Sequence, residues 1–372
     1  MSSLHDLKAL GQSVWLDFIS RELLSSGDLS RLVSSGLKGL TSNPAIFEKA
    51  VAQGKDYAAA IVQLSSSGLD AKAIYEHLAV RDIRDAADAL RPVYDATMGV
   101  DGFVSLEVSP GLAHDTAGTL AEGRRLWRDV ARPNLMIKVP GTPAGLPAIR
   151  DLIADGINVN VTLLFSRAAY ASVALAYIEG LEVRLARGGD ISRLGSVASF
   201  FVSRIDTAVD ALLDQKIAVA PQAARAELNA LKGKVAIANA KLAYQHYLGL
   251  IASERWQKLS VRGARPQRLL WASTSSKNPA YRDVIYVEEL VGKDTVNTLP
   301  PATLEAFLDH GVPRASLEED PAAALRVIER LEQQGVSLDA ITDALLKDGV
   351  ALFAEAFEKL LAAVGSQAAR AA

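Results

Sequence analysis

The chain contains no cysteine, which excludes disulfides, a thiolate nucleophile and cysteine-ligated zinc or iron–sulfur centres. Histidine is sparse: His5, His77, His114, His246 and His310 are scattered, and none pairs with another at the spacing of a helical metal motif. No apolar segment approaches the roughly 18 residues of a membrane span. The opening "MSSLHDLKALGQSVWLDF" has no basic start followed by an apolar core, so a cytoplasmic protein is expected. Neither sign of charge dominates. With 40 basic and 43 acidic residues, net charge −3 and no long basic run, a nucleic-acid or membrane-surface partner is not indicated. Also absent are a G-x-G-x-x-G after the first strand and any G-x-x-x-x-G-K-[ST], which argues against a doubly wound nucleotide-binding sheet. Chemistry is left to lysine, glutamate, aspartate and arginine.

What the chain does have is apolar material in short runs. Hydrophobic residues make up 49% and charged residues 22%, values that suit a soluble chain with a large core. Its 372 residues would fill one large barrel or two ordinary domains. Strand-like runs fall at 13–18, 36–42, 102–108, 135–139, 157–165, 196–203, 268–274 and 295–299. Helical spacing marks 70–95, 116–131, 144–154, 167–187 and 206–257, the last read as two helices. Alternating strands and helices imply parallel strands with crossover helices, because a tight hairpin cannot reach a parallel neighbour. Eight such units predict an α/β fold, a (β/α)8 TIM barrel with additional N- and C-terminal helices. In "GTPAG", 141–145, Thr142 is the expected N-cap and Pro143 the first helical residue. Residues 301–372 read as helices packed on the barrel within one domain, 1–372, and the tail "SQAARAA" is expected to fray.

The strand "NLMIKVPGT" is interrupted by Lys138. One reading lets its aliphatic stem lie along the strand while the head reaches solvent or a carboxylate. The other follows from desolvation, which favours the neutral amine, a nucleophile able to form a Schiff base with a carbonyl substrate. Its neighbours bear on the choice, because barrel active sites are built at the carboxyl ends of the strands. Nearly every strand ends in a polar group: Asp17, Asn43, Glu107, Lys138, Asn160 with Thr162, Ser199 with Arg204 beyond it, and Ser275, Ser276 and Lys277. Singly, each has a bland role, such as a helix cap for Asp17, a turn for Asn43 or a β-branched strand position for Thr162. Together they would converge on one cavity, where Asp17 and Glu107 could balance a buried ammonium. The chemistry that fits is carbon–carbon bond cleavage through an imine on Lys138, with Glu107 and Asp17 moving protons. Arg204 and Lys277, beside Ser275 and Ser276, suit a phosphate at the far end of the substrate.

On those residues the sequence resembles the transaldolase family. "WLDF", "GLTSNPAIF", "SLEVSP", "LMIKVPGT", "NVNVTLLFS", "FFVSRID" and "WASTSSKNP" match family motifs in order across roughly 13–280. The resemblance implies that Lys138 is the Schiff-base lysine, that Asp17 acts on the hydroxyl at the cleaved bond, and that Glu107 works through a water held by Thr162. It further implies that Asn43, Asn160 and Ser199 hold the dihydroxyacetone part and Arg204 the phosphate. The implied reaction moves dihydroxyacetone from sedoheptulose 7-phosphate to glyceraldehyde 3-phosphate, giving erythrose 4-phosphate and fructose 6-phosphate in the pentose phosphate pathway. No metal or organic cofactor is implied, the partners are small sugar phosphates, and the chain is expected as a monomer or homodimer. Two departures stand out. Where many members carry a second phosphate-binding arginine in an "ASFRN"-like segment, this chain has "ASTSSKN", which gives Lys277 that role, and the tail from 311 onward is longer than in familiar members. Two other readings compete: a fructose 6-phosphate aldolase that releases free dihydroxyacetone, and a noncatalytic barrel that binds a sugar phosphate. Glu107 in place of an amide, and Phe201 with no hydroxyl to offer, favour the transferase over the aldolase.

Overall fold

A computed structural model describes residues 3–53 and 55–369. Eight strands close into a barrel in sequence order: β1 (Gln12–Asp17), β2 (Gly39–Thr41), β3 (Phe103–Glu107), β4 (Leu135–Pro140), β5 (Val159–Leu164), β6 (Ser196–Phe201), β7 (Arg268–Ala272) and β8 (Thr295–Leu299). Every neighbouring pair is parallel, including β8 with β1. The strands are buried along almost their whole length, since side chains fill the barrel on one face and helices cover the other. At β2 the wall needs glycine: a Cβ on Gly39 would lie 2.5 Å from the buried Trp15 indole. Among the described residues no helix is long and apolar enough to cross a membrane.

The strand positions agree with the sequence reading to within about two residues at each end, except β2, where Gly36 still belongs to the turn after the preceding helix and the strand starts only at Gly39. Several helices depart further. The region 206–257 holds four helices in place of two: Ser203–Val219, Gln222–Asn229, Val235–Ala252 and Glu254–Ser260. Breaks at Pro221, Gly233 and Ser253, the last of which caps the fourth helix, separate them. Helices Leu4–Ala9, Arg21–Ser25, Asp28–Ser34, Pro44–Gln53 and Ala58–Ser66, each of ten residues or fewer, are too short to stand out in the sequence. The helix after β4 begins at Gly145, so Pro143 precedes it, while the Thr142 hydroxyl still accepts the Gly145 N–H at 3.1 Å. The C-terminal helix Leu338–Ala369 takes in 366–369, which correspondingly are not frayed; Arg370 to Ala372 lie outside the described residues. This helix packs along Pro44–Gln53 and touches β5.

The amino end of the barrel is closed by a charged plug. Buried Asp101 accepts bonds from Arg268 Nη2 at 2.9 Å and Ser13 Oγ at 2.8 Å, and pairs with Lys8 Nζ at 3.3 Å. Burial alone would raise its pKa, but Arg268 and Lys8 hold the carboxyl below its usual range. Deleting one partner of a buried pair strands the other charge, so Arg268→Met should cost about 3–5 kcal/mol in urea unfolding, with turnover per folded molecule retained. A loss below about 1 kcal/mol, the value of an exposed pair, would show that the plug is not a structural tie.

Candidate active site

Strand register places the first group of candidates. The β3–β4 ladder sets Glu107 beside Lys138, and the β4–β5 ladder sets Lys138 beside Asn160. In-register neighbours of parallel strands share a face, so all three side chains enter the barrel. Lys138 and Glu107 are 6% and 3% exposed, with Nζ 3.2 Å from Oε2. Nζ also donates to the Ser42 carbonyl at 3.1 Å. Among the described residues neither Glu107 oxygen has an aligned hydrogen-bond partner, so the contact with Lys138 is one of charge. Thr162 Oγ1, two residues along β5 from Asn160, is likewise buried and unpartnered. Buried polar atoms without partners are uncommon and point to a ligand or water.

Asp17, at the end of β1, accepts a bond from Thr41 Oγ1 at 2.7 Å, and Thr41 meets Thr298 Oγ1 at 2.8 Å. A hydroxyl has one proton to give, so while Thr41 donates to Asp17 it accepts from Thr298, which fixes the carboxylate through two strands. Burial pushes Asp17 and Glu107 above the usual carboxylate range. The Lys138 charge opposes the rise in both cases, and the Thr41 bond opposes it at Asp17. Carboxyls raised in this way can exchange protons nearer neutral pH.

One cavity is lined by Asp17, Thr41, Asn43, Lys138, Thr162, Ser199, Phe201, Arg204, Ser275, Lys277, Thr298 and Phe353. Of the sequence candidates, three stand elsewhere. Glu107 reaches Lys138 from a smaller adjoining cleft lined also by Tyr75 and Phe357. Asn160 sits behind the lining, accepting from Ser199 Oγ at 2.7 Å and donating to Ser105 Oγ at 3.0 Å. Ser276 turns away to donate to the Asn278 carbonyl at 3.0 Å, so its expected place in the site is not met. Asn43 lines the cavity but also serves its bland role, its Oδ1 accepting the Ile46 N–H at 3.0 Å. The helix cap expected of Asp17 falls instead to Ser20.

At the cavity's far side Arg204 occupies the first turn of helix Ser203–Val219, its guanidinium 5.5 Å from the Phe201 ring. Lys277 donates to Ser275 Oγ at 2.7 Å. Burial lowers both pKa values, and at Lys277 the nearby charges of Arg204 and Lys49 add to the effect. Among the described residues neither cation pairs with a carboxylate, which leaves two positive groups turned toward one opening. Two strand ends here are strained: Leu163 at a β5 bulge has φ 62° and Ser273 after β7 has φ 54°. Non-glycine residues in this region cost free energy and cluster at functional sites.

The family model described as Transaldolase/Fructose-6-phosphate aldolase matches residues 14–364. The chain belongs to this family. It is 51% identical over 366 residues to Transaldolase 2 of Nostoc sp. (strain PCC 7120 / SAG 25.82 / UTEX 2576), covering 97% of this chain and 96% of that one. Transaldolase of Trichodesmium erythraeum (strain IMS101) is 49% identical over 363 residues, 96% and 95% of the two chains. Transaldolase of Thiobacillus denitrificans (strain ATCC 25259 / T1) is 48% identical over 366 residues, 98% and 100% of the two. Such coverage means that the long tail is shared with these transaldolases. Thr41, Thr298 and Phe353 were not singled out from sequence. Thr41 lies inside the quoted "GLTSNPAIF", Thr298 is the last residue but one of β8, and mid-helix Phe353 carries no local signal.

The raised Asp17 carboxyl has a consequence for stability. The unfolded chain loses this proton near pH 3.9, the folded protein at higher pH, so unfolding gains on folding as pH rises through that window. Asp17→Asn, which does not titrate, should therefore melt above the unsubstituted protein at pH 8, with the gap closing toward pH 4. Thermal melts across that range check this. A variant less stable at pH 8 would mean that the ionised carboxylate is held by its partners more strongly than burial disfavours it.

Proposed function

We propose that this chain is a transaldolase, transferring dihydroxyacetone from sedoheptulose 7-phosphate to glyceraldehyde 3-phosphate through an imine on Lys138. The observation that carries this reading is a buried lysine amine between two raised carboxyls, in a cavity that also bears unpaired cations. Lys138 Nζ attacks the donor ketone carbon, and the carbinolamine loses water to give the protonated imine. Glu107 assists that dehydration through a water that Thr162 helps to hold; the unpartnered oxygens of both side chains support this role. Asp17 takes the proton from the hydroxyl next to the breaking bond, whose oxygen becomes the carbonyl of the departing aldehyde. The electrons of the broken carbon–carbon bond pass into the imine, forming an enamine that then adds to the acceptor aldehyde.

Asn43 and Ser199 hold the hydroxyls of the three-carbon unit, while Asn160 orients Ser199 through their 2.7 Å bond. Arg204 and Lys277 take the phosphate, helped by Ser275 and by the positive end of helix Ser203–Val219. Lysine grips phosphate as a point charge, without the two-pronged geometry of arginine. On this reading the enzyme works in the cytoplasm, as monomer or homodimer, without metal or organic cofactor.

Borohydride reduction in the presence of fructose 6-phosphate, followed by peptide mapping, tests the core of the proposal. A reduced three-carbon adduct on the peptide containing Lys138 is expected. A folded protein that binds the sugar phosphate yet gives no adduct would point to the noncatalytic barrel. Assays with and without acceptor aldehyde separate a transferase from an aldolase, and turnover that needs the acceptor is expected. Arg204→Ala should raise KM for the phosphorylated donor roughly ten- to hundredfold, the equivalent of about 1.5–3 kcal/mol for a charged hydrogen bond. Lys277→Ala should do so by less, and an unchanged KM in both would remove the phosphate assignment.

A further inference from the structure

Phe353 enters the cavity from a long way off in the chain. It lies in the middle of helix Leu338–Ala369, is 6% exposed, and presents its ring 5.7 Å from Lys138 Nζ. Two residues, one turn to either side, hold it there. Gly349, four residues earlier, lets the helix come close to the bulge of β5, since a Cβ at that position would lie 2.9 Å from Leu163 Cδ2. Phe357, four residues later, meets Tyr75 edge to face at 5.4 Å and lines the cleft that contains Glu107. Positions four apart share a helix face, so one stripe of the helix spans Thr162's neighbour, the lysine and the approach to Glu107.

We propose that Phe353 is a positioning and specificity residue: its ring covers the Lys138 nitrogen and keeps water from the enamine formed there, so that the three-carbon unit is transferred and not lost. The inference rests on the imine mechanism above. An enamine has two fates. Its nucleophilic carbon either bonds to the acceptor's carbonyl carbon, whose oxygen takes a proton, or it takes a proton itself. In the second case water adds to the resulting imine carbon, the carbon–nitrogen bond breaks, and free dihydroxyacetone leaves with the amine restored. Which fate prevails depends on water and proton donors near the nitrogen. Lys138 Nζ meets the Ser42 carbonyl at 3.1 Å and the Glu107 carboxylate at 3.2 Å, with the face of Phe353 at 5.7 Å, and of these three the ring is the apolar one. An aromatic face also suits the cationic imine as well as the ammonium, so the cover remains favourable through the reaction.

The test is the ratio of free dihydroxyacetone released to dihydroxyacetone transferred, measured with fructose 6-phosphate as donor and erythrose 4-phosphate as acceptor. Phe353→Ala should raise that ratio about tenfold and Phe353→Leu, which keeps apolar bulk, about threefold, a graded loss of water exclusion. A merely structural ring would lower both rates together and leave the ratio unmoved, which would overturn the proposal. Should the alanine variant fail to fold, the leucine variant decides on the same criterion. Borohydride trapping of the unsubstituted protein separates the two layers of inference. No adduct on Lys138 would defeat the mechanism itself, whereas an adduct with an unmoved ratio in the variants defeats only the role given to Phe353.

Discussion

A lysine charge placed almost entirely out of water must be balanced nearby, and the register between β3 and β4 meets that need by setting Glu107 next to Lys138. Much of the site follows from this pairing. The carboxylate cannot be solvated freely, so burial raises its pKa, while the ammonium opposite limits the rise. Asp17 experiences the same two influences from the other side of the cavity. A site with one buried cation, one buried carboxyl and one half-buried carboxyl can hold charge in several ways, which is what the proposed proton transfers require.

That arrangement depends on barrel closure. Asp17 ends the first strand and Thr298 lies on the eighth, and they are joined through Thr41 because β8 pairs with β1 and β1 with β2. The opposite end of the barrel is tied by Asp101, Arg268 and Ser13, which likewise span elements distant in sequence. The two ends differ in kind. At the Asp101 plug each carboxylate oxygen has a donor and the pKa is lowered, whereas at the carboxyl end of the strands Glu107 lacks aligned donors among the described residues and the pKa is raised. A satisfied network fits a structural tie, and an unsatisfied one fits a place where a substrate or water completes the set.

How much of this was legible in the sequence depended on whether a residue's surroundings are set locally. The strands could be read because buried parallel strands are short apolar runs with breakers at their ends, and a lysine inside such a run is conspicuous. The strand-end polar residues were legible for the same reason. Orientation at the tip of a loop was not: Ser276 and Ser275 are adjacent, yet one faces the Asn278 carbonyl and the other the cavity. Nor were the short helices in 206–257, where breaks at single residues divide what reads as a continuous pattern. Partners brought in by closure escaped as well. Thr298 has meaning only once β8 reaches β1.

Phe353 is the extreme case, since nothing in "ALFAEAF" distinguishes a ring over a buried lysine from an ordinary core residue. Its place is determined by the packing of an entire helix on Pro44–Gln53, by the closeness that Gly349 allows, and by a strained Leu163 at the bulge beside Thr162. Extra chain after a barrel can be a mere addition to the core. Here the buried Gly349, Phe353, Leu360 and Val364, with half-buried Phe357 among them, form a stripe that runs from the cavity wall outward, so on the proposed mechanism helix packing and water exclusion rely on the same residues. On the proposed mechanism, disturbing that stripe would alter stability and chemistry together, and only the fate of the enamine would distinguish one effect from the other.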